Sequence, residues 1–111
     1  MNKRTSSASK EIVGQWRIVE MEQWDQDFVD LVSPGQITFR KNGTGELHFG
    51  AMDAQLDWRF DAKAGRADFS FEGFDEGDKI SGRGWAQSKA GGLDGWIAFH
   101  LGDESRFKAL I

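Results

Sequence analysis

Short runs of alternating apolar and polar residues follow one another along most of the chain. From Gly14 onward they recur about every ten residues, and a turn that carries Gly or Asp separates each run from the next. Successive side chains of a strand point to opposite faces, so each run predicts a strand with one buried face. The pattern predicts an all-β fold, a closed antiparallel up-and-down β-barrel of about eight strands.

A short helical turn is predicted after the first strand. Segment 25–32 has apolar residues at positions 28, 31 and 32, a spacing that suits one turn of helix covering an end of the barrel. Residues 12–111 are expected to form a single barrel domain. The polar, Ser-rich residues 1–11 are expected to form a disordered N-terminal tail.

The turns predict a register for each hairpin, starting from Asn42-Gly43, a strong hairpin signal. The predicted opposite pairs are Phe39–Leu47, Ile37–Phe49, Phe49–Trp58, Leu47–Phe60, Phe60–Phe69, Trp58–Phe71, Ile97–Gly84, Phe99–Gly82, Leu101–Phe107 and Ile97–Ile111. These registers place the large apolar residues on one side, the barrel interior. The side chains expected to be buried there are Trp16, Ile37, Phe39, Leu47, Phe49, Trp58, Phe60, Phe69, Phe71, Ile97, Phe99 and Phe107.

Composition and charge narrow the classes of function. The net charge of -4 argues against a nucleic-acid partner, which would need a basic face. The absence of cysteine excludes disulfides, thiolate catalysis and cysteine-based zinc sites. The chain carries neither an apolar run long enough for a transmembrane helix nor the apolar stretch of a signal peptide. A cytoplasmic protein without a membrane partner is expected.

The amino-acid sequences of several segments resemble those of known proteins. Gly14-x-Trp16 at the start of the first strand, followed by the meander, resembles the calycin superfamily of lipocalins, fatty-acid-binding proteins and avidins. The segments WDQD (24–27), EGFDE (72–76), SGRGW (81–85) and FHLGDES (99–105) resemble a group of small bacterial proteins of unknown function. The first resemblance implies a calycin-like barrel, and the second implies no activity.

The two ends of the predicted barrel differ in charge. In a meander, alternate connections lie at the same end. The connections predicted after strands one, three, five and seven are 25–32, 52–54, 73–79 and 102–105, and their carboxylates are Asp25, Asp27, Asp30, Asp53, Asp75, Glu76, Asp78, Asp103 and Glu104. The hairpins at the other end carry Lys41, Lys63, Arg66 and Lys89. Because function usually lies on the longer loops of a rigid scaffold, the acidic end is the candidate site.

A non-enzymatic binding module is predicted, without a cofactor, whose acidic mouth binds a small amphipathic molecule or a protein segment. The ligand-binding candidates are Trp24, Asp25, Asp27, Trp58, Phe71, Asp75, Glu76, Arg83, Asp103 and Arg106. The two arginines are expected to pair with the nearby carboxylates. The plainer interpretation is that acidic loops are merely solvated and keep the protein soluble.

Other functions remain open at this point. A filled barrel without a ligand could serve as a protein-interaction or assembly protein, and an enzyme could use the mouth carboxylates. Asp25, Asp27 and Asp30, with Asp75 and Asp78, could supply oxygen ligands for calcium, although Asp25 or Asp27 also suits a helix N-cap. Ser105, His100 and Asp103 suggest a nucleophilic arrangement, but no nucleophile elbow accompanies them. Both His48 and His100 are expected to face solvent, and no catalytic residue or metal ligand is assigned.

The predicted registers also place three glycines on the inner face of the barrel and two tryptophans on its outer face. Gly73, Gly82 and Gly84 could open a space bounded by Phe49, Trp58 and Phe71, or neighbouring aromatic rings could lie across them and fill it. We favour filling, because many bulky side chains already point inward. Trp85 opposite Trp96 must face outward, which makes this pair a candidate homodimer interface.

Overall fold

The computed structural model of the protein describes residues 9–111 and shows the predicted closed antiparallel β-barrel. Its eight strands follow one another around the barrel in chain order, and the last pairs with the first. The strands are β1 (Gly14–Met21), β2 (Gln36–Phe39), β3 (Thr44–Phe49), β4 (Met52–Asp61), β5 (Arg66–Asp75), β6 (Asp78–Lys89), β7 (Gly92–Phe99) and β8 (Glu104–Leu110). A short helix, α1 (Gln26–Val29), lies between β1 and β2.

The helical turn predicted after β1 is α1. Asp25 is its N-cap, and its Oδ1 accepts a hydrogen bond from the Phe28 N–H at 2.9 Å. Val29 is buried, and its carbonyl accepts a hydrogen bond from the Gly50 N–H at 2.9 Å. These contacts attach α1 to the turn between β3 and β4.

The predicted tail, residues 1–11, lies mostly outside the described residues. In the part that is described, the Ser9 carbonyl accepts hydrogen bonds from the Ile12 N–H at 3.0 Å and the Val13 N–H at 3.3 Å. Ile12 is fully buried, and its carbonyl accepts a hydrogen bond from Trp16 Nε1 at 2.8 Å. Packing onto the barrel therefore begins at Ile12 or earlier.

The β6–β7 hairpin confirms its predicted register. Its opposite pairs include Gly82–Phe99, Gly84–Ile97 and Trp85–Trp96. The turn consists of Ala90 and Gly91, both in the left-handed region, with φ of 51° and 83°. Two such residues form the tight turn whose twist matches that of the flanking strands.

The β2–β3 hairpin keeps its predicted faces in a different register. The observed opposite pairs are Ile37–Leu47 and Phe39–Gly45, so the predicted pairs Phe39–Leu47 and Ile37–Phe49 are wrong. The loop comprises residues 41–43, with Gly43 at a φ of 90° and a hydrogen bond from the Arg40 N–H to the Thr44 carbonyl at 2.8 Å. Because this three-residue loop is centred on Asn42, each residue of β2 pairs with a β3 residue two positions away from its predicted partner. Arg40 forms an ion pair with Glu46.

The β4–β5 hairpin also lies two residues from its predicted register. The observed pairs are Trp58–Phe69 and Phe60–Ala67, so the predicted pairs Phe60–Phe69 and Trp58–Phe71 are wrong. Asp61 organises the loop: its Oδ1 accepts hydrogen bonds from the Lys63 and Ala64 N–H groups at 3.0 and 3.1 Å. The Asp61 carbonyl accepts a further bond from the Gly65 N–H at 2.8 Å, which closes a loop over residues 62–65.

The β3–β4 hairpin also differs from its predicted register, and this difference changes the positions of several candidate residues. The observed pairs are Phe49–Met52 and Leu47–Ala54, so the predicted pairs Phe49–Trp58 and Leu47–Phe60 are wrong. The turn is Gly50-Ala51, with Gly50 at a φ of 60°, and not Asp53-Ala54. Segment 52–54 therefore lies within β4 and not in a loop. The earlier turn also carries Trp58 to the far end of the barrel.

The β7–β8 hairpin, like the β3–β4 hairpin, lies six residues from its predicted register. The observed pairs are Ile97–Ser105 and Gly95–Phe107, so the predicted pairs Leu101–Phe107 and Ile97–Ile111 are wrong. Leu101 adopts a left-handed φ of 56° in the connection, where the Phe99 N–H donates to the Asp103 carbonyl at 2.9 Å. The Phe107 ring occupies the space that a side chain on Gly95 would need, which favours the observed pairing.

The interior is nonetheless the one that alternation predicts. All these register shifts are even, and an even shift leaves each side chain on its original face of the sheet. Of the side chains expected inside, Phe60 and Phe99 are partly exposed near the barrel ends, and the others are buried.

Candidate functional site

The connections after β1, β3, β5 and β7 lie at one end of the barrel, which we call the mouth. They span residues 22–35, 50–51, 76–77 and 100–103, and their carboxylates are Glu22, Asp25, Asp27, Asp30, Glu76 and Asp103. They contain no Lys or Arg. The connections at the far end, 40–43, 62–65 and 90–91, contain Arg40, Lys41 and Lys63 and no carboxylate. The loops thus have the charge asymmetry expected from the sequence.

Trp24 closes the mouth. Its indole is half-buried, and its ring centroid lies 5.1 Å from that of Phe49 and 6.2 Å from that of Phe99. On its outer side it stacks with Phe28 at 6.1 Å. This ligand-binding candidate therefore packs as a lid over the interior aromatic rings.

Aromatic rings cover the inward-facing glycines. A Cβ atom on Gly82 would lie 2.6 Å from Cζ of Phe71, and one on Gly84 would lie 2.7 Å from Cζ of Phe69. Both distances are far below van der Waals contact. At Gly73 a Cβ would meet the backbone of the neighbouring β4 instead. The glycines accommodate side chains and close backbone approach, as the filling hypothesis predicts.

Open volume lies on the outside of the sheet. A cleft of about 590 Å³ on the outer face of β4 to β6 is lined in part by Gln55, Ser70 and Arg83. A second cleft, of about 650 Å³, lies beside the β5–β6 turn and includes Asp53 and Phe74.

Trp58 does not belong to the mouth. Its Nε1 donates hydrogen bonds to the carbonyls of Arg40 at 2.9 Å and Thr44 at 3.1 Å, which flank the β2–β3 loop at the far end. The grouping of Trp58 with Phe49 around a shared space is therefore wrong, because the Gly50-Ala51 turn lengthens β4 at its mouth end. Phe71, another candidate, is buried among the interior rings and lies 5.4 Å from Phe99.

The remaining mouth candidates are spread over its rim. Asp25 caps α1, and Asp27 is exposed in the same helix. Asp75 and Glu76 lie exposed at the tip of the β5–β6 hairpin, where Glu76 adopts a left-handed φ of 51°. The structure brings these carboxylates to one end of the barrel without converging them on a single point.

The predicted pairing of the arginines with the mouth carboxylates is wrong. The guanidinium carbon of Arg83 lies 5.6 Å above the centroid of Trp96, on the outer face of the sheet. Arg106 is exposed, and its backbone exchanges hydrogen bonds with Glu22. Exposed Asp103 contributes its carbonyl to the loop. Within residues 9–111, the ion pairs formed by arginine are Arg17–Asp30, Arg40–Glu46 and Arg66–Asp68.

Asp30 holds the connection between α1 and β2 in place. Its Oδ1 accepts a hydrogen bond from the Gly35 N–H at 2.8 Å, and its Oδ2 accepts one from Gln26 Nε2 at 3.0 Å. Arg17 lies 3.6 Å from the same Oδ2. The backbone hydrogen bond from Gly35, followed by that from Gln26, holds the pKa of this carboxyl below its ordinary value.

The described residues do not form the calcium site considered from the sequence. Protein N–H donors occupy the Asp30 carboxylate, and Oδ1 of Asp25 is engaged in capping α1. Across residues 9–111, no three His, Cys, Asp or Glu side chains converge in a geometry that could hold a metal ion.

The Ser105, His100 and Asp103 arrangement is also not formed. Ser105 is buried, and its Oγ donates to the Arg106 carbonyl at 2.8 Å and accepts from the Gln23 N–H at 3.0 Å. His100 is exposed as predicted.

A different Ser–His–Asp chain lies at the mouth. His48 Nε2 is 2.7 Å from Ser33 Oγ, and His48 Nδ1 is 2.7 Å from Asp53 Oδ1. His48 lies on the outer face of β3 as its parity predicts, but its side chain is only 14% exposed. His48 and Asp53 are opposite partners across the β3–β4 turn. The correct turn would have predicted this pair, whereas Ser33 arrives from a separate connection that no local pattern places.

Four exposed apolar side chains form what we call the mouth surface: Phe28, Leu31, Val32 and Leu101, which are 41, 63, 67 and 95% exposed. The first three belong to the connection after β1 and the last to the connection after β7. Ring contacts from Phe28 through Trp24 to Phe99 join the first connection to the end of β7. The pattern of the first connection predicts that its apolar residues cover the end of the barrel, but three of them, Phe28, Leu31 and Val32, are exposed instead.

Trp85 and Trp96 face outward as predicted, but arginine side chains cover them in part. The Arg66 guanidinium carbon lies 5.2 Å from the Trp85 centroid, and Arg83 lies over Trp96. Trp96 Nε1 also donates to Glu104 Oε1 at 3.0 Å. Both indoles are partly exposed, so the pair forms a mixed polar and aromatic surface.

The comparisons with known proteins identify no relative. The chain matches no protein-family model, and neither curated proteins nor solved structures give a significant match. Within residues 9–111, no helix has the length and apolar character needed to cross a membrane.

Proposed function

We propose that this protein is a binding module whose mouth surface docks a cationic, amphipathic segment of a partner protein. The observation that carries the proposal is the placement of Phe28, Leu31, Val32 and Leu101 at the end of the barrel whose connections are acidic. Apolar side chains that remain exposed and have polar residues around them are typical of interaction sites.

The charge of the mouth indicates the character of the partner. Glu22, Asp25, Asp27 and Asp103 are exposed in the same connections as the apolar side chains. Lysine and arginine on the partner would complement them, while its apolar residues pack on Leu31 and Leu101. A helix with one apolar and one basic face combines these features.

The packing of the barrel favours docking on the outside over binding within. Trp24 lies over Phe49 and Phe99, and the Phe71 and Phe69 rings occupy the space above Gly82 and Gly84. A small amphipathic molecule, the other ligand class expected from the sequence, would have to displace these rings. A protein segment can bind without disturbing them.

Leu101 supports a role for this surface. It combines a left-handed φ of 56° with 95% exposure. That conformation costs a residue with a Cβ about 1 kcal/mol or more, and at this position burial offsets none of the cost. Strain that packing does not require is typical of functional positions.

We further infer that the domain is calycin-like and related to the small bacterial proteins noted above. The closed eight-stranded meander supports the calycin assignment, as does Trp16, buried next to Gly14 at the start of β1. A cytoplasmic location remains part of this proposal, since a chain without cysteine suits a reducing compartment.

A titration followed by backbone amide NMR tests the proposal. The probe is a synthetic helical peptide with leucines on one face and lysines on the other, and its counterpart carries glutamate in place of lysine. We expect the lysine peptide to shift amide signals in 22–35 and 100–103, and the glutamate peptide to bind at least tenfold more weakly because of charge repulsion.

Matched variants make the titration specific. Leu31→Ser with Leu101→Ser should weaken binding of the lysine peptide, while Val19→Ser with Ile111→Ser, which alters exposed apolar residues elsewhere, should not. Equal binding by both double variants, or shifts concentrated at interior residues such as Leu47, would contradict docking on the mouth surface.

A further inference from the structure

We propose that Ser33 is an activated nucleophile that accepts an acyl group from activated esters, with His48 as its general base and Asp53 as the residue that positions the imidazole. The inference goes beyond the docking function and does not depend on it. It rests on the unbroken chain Ser33 Oγ, His48 Nε2 and Nδ1, Asp53 Oδ1, whose two links are both 2.7 Å.

The carboxylate determines which imidazole nitrogen carries the proton. Ionised Asp53 can only accept hydrogen bonds, so His48 Nδ1 must donate to it. In the neutral ring Nε2 is then the acceptor, and the Ser33 hydroxyl lies 2.7 Å from it as the donor. This is the orientation in which a histidine withdraws a proton from a serine.

The hydrogen-bonded side chains differ in how far they are exposed to solvent. The His48 side chain is 14% exposed, whereas that of Asp53 is 82% exposed. Partial burial of the imidazole limits the access of water to its nitrogens. Ser33 is exposed, so an acyl donor can reach it. Exposed Val32 precedes it, and exposed Phe74 lies opposite Asp53 on the neighbouring strand. These apolar side chains favour a substrate with a short apolar acyl group.

The reaction is a conventional acyl transfer. Ser33 Oγ attacks the carbonyl carbon of the ester as its proton passes to His48 Nε2. The tetrahedral adduct then loses the alkoxide or phenoxide leaving group, which takes the proton from His48 and departs as the free alcohol or phenol. Water, deprotonated by His48, releases the carboxylic acid and restores the hydroxyl. No oxidant or further co-reactant is needed.

The test uses the full chain with 4-nitrophenyl acetate, together with a fluorophosphonate that labels activated serines. The release of 4-nitrophenol gives the rate, and peptide mass spectrometry identifies the modified residue. We expect Ser33 to be modified about a hundredfold faster than Ser70, an exposed serine of β5, because a positioned base contributes about 10²–10⁴ in rate. Ser70 in the same molecule serves as the internal control.

Single substitutions distinguish the roles of nucleophile, base and positioning residue. Ser33→Ala should reduce labelling to the slow rate of Ser70, His48→Asn should slow labelling of Ser33 about a hundredfold, and Ser70→Ala should leave labelling of Ser33 unchanged. Asp53→Asn should slow acylation, and Asp53→Glu, which keeps a carboxylate, should restore part of the rate. This rescue would not arise from a purely structural role. Thermal unfolding of each variant verifies that it folds.

Three results would overturn the assignment. Equal modification of Ser33 and Ser70 in the wild type would show that Ser33 is not activated, and this result needs no variant. Ester cleavage that persists in Ser33→Ala would identify His48 or a lysine as the nucleophile. Equal rates for folded His48→Asn and the wild type would exclude the base. Binding of the lysine peptide to Ser33→Ala reports on docking separately, so failure of either proposal leaves the other measurable.

Discussion

The Phe107 ring lies directly over Gly95, the residue opposite it on β7, and occupies the space that a side chain there would fill. The pairing of a large ring on one strand with glycine on the next recurs between β5 and β6, where Phe69 covers Gly84 and Phe71 covers Gly82. Such pairs let a small barrel hold many aromatic rings, because each ring takes the volume of two side chains.

Substitution of Gly95 tests whether this residue and the Phe107 ring are coupled. We expect Gly95→Ala to lower the free energy of unfolding by about 1–3 kcal/mol, the usual cost of overpacking, as measured by urea denaturation. Adding Phe107→Leu should recover part of the loss, because the shorter side chain vacates the space. If the effects of Gly95→Ala and Phe107→Leu simply add, the ring and the glycine are not coupled.

The interior rings should carry much of the stability. Phe39 is buried against Trp58 and Phe69, with centroids 5.4 and 5.8 Å away. We expect Phe39→Ala, and likewise Phe71→Ala, to cost about 3–5 kcal/mol, measured by chemical denaturation. Phe74→Ala, which truncates an exposed ring, is the matched control and should change stability by less than about 1 kcal/mol. Near-wild-type stability of both interior variants would mean that the packing is wrong.

Asp30 should make the stability of the protein depend on acidity. Its pKa is lowered in the folded state, chiefly by the hydrogen bond from the Gly35 N–H, so the unfolded state binds the proton more readily. The stabilisation is present at neutral pH and is lost as the pH falls below about 4. We therefore expect Asp30→Asn to be less stable than the wild type at pH 7 and the difference to shrink in acid. A difference that is constant with pH would contradict this.

Self-association through the Trp85 and Trp96 face stays a prediction. Two neighbouring aromatic rings favour an interface, whereas the Arg66 and Arg83 guanidinium groups above them offer an alternative covering. If this face associates, sedimentation should show a dimer for the wild type and a monomer for Trp85→Ala with Trp96→Ala. A wild type that is monomeric at high concentration would exclude the homodimer.

Alternation predicted the barrel and its interior, but the register was predicted correctly for the β6–β7 hairpin and wrongly for four others. Gly50-Ala51 and Asp53-Ala54 are both plausible turns by composition, and only the hydrogen bond from the Gly50 N–H to Val29 and the packing around it distinguish them. Because the resulting errors were even numbers of residues, burial was predicted correctly while the neighbours were not. Trp58 was therefore expected near Phe49 and lies at the far end.

The contacts within the candidate site depend on which residues lie opposite one another across the strands. The acidic end followed from the order of the connections alone and was predicted. The contact between His48 and Asp53 needed the correct β3–β4 turn, and Ser33 reaches His48 only through the path of the connection between α1 and β2. Outward projection of Leu31 and Val32 depends on the same path, so periodicity could not distinguish it from burial.

Leu101→Gly tests the central claim, that the mouth surface exists for binding, most directly. Glycine tolerates the left-handed conformation, so the variant should be more stable than the wild type by up to about 1 kcal/mol. It also removes the most exposed apolar side chain of the mouth surface, so it should bind the lysine peptide several-fold more weakly. Ala90→Gly, at a φ of 51° in the far-end turn, is the matched control and should gain stability without losing affinity.

The decisive quantity is the affinity of Leu101→Gly for the lysine peptide relative to that of Ala90→Gly, measured by calorimetry on the two folded variants. We expect a clear loss of affinity for Leu101→Gly alone. Equal affinities would contradict a binding role for the mouth surface.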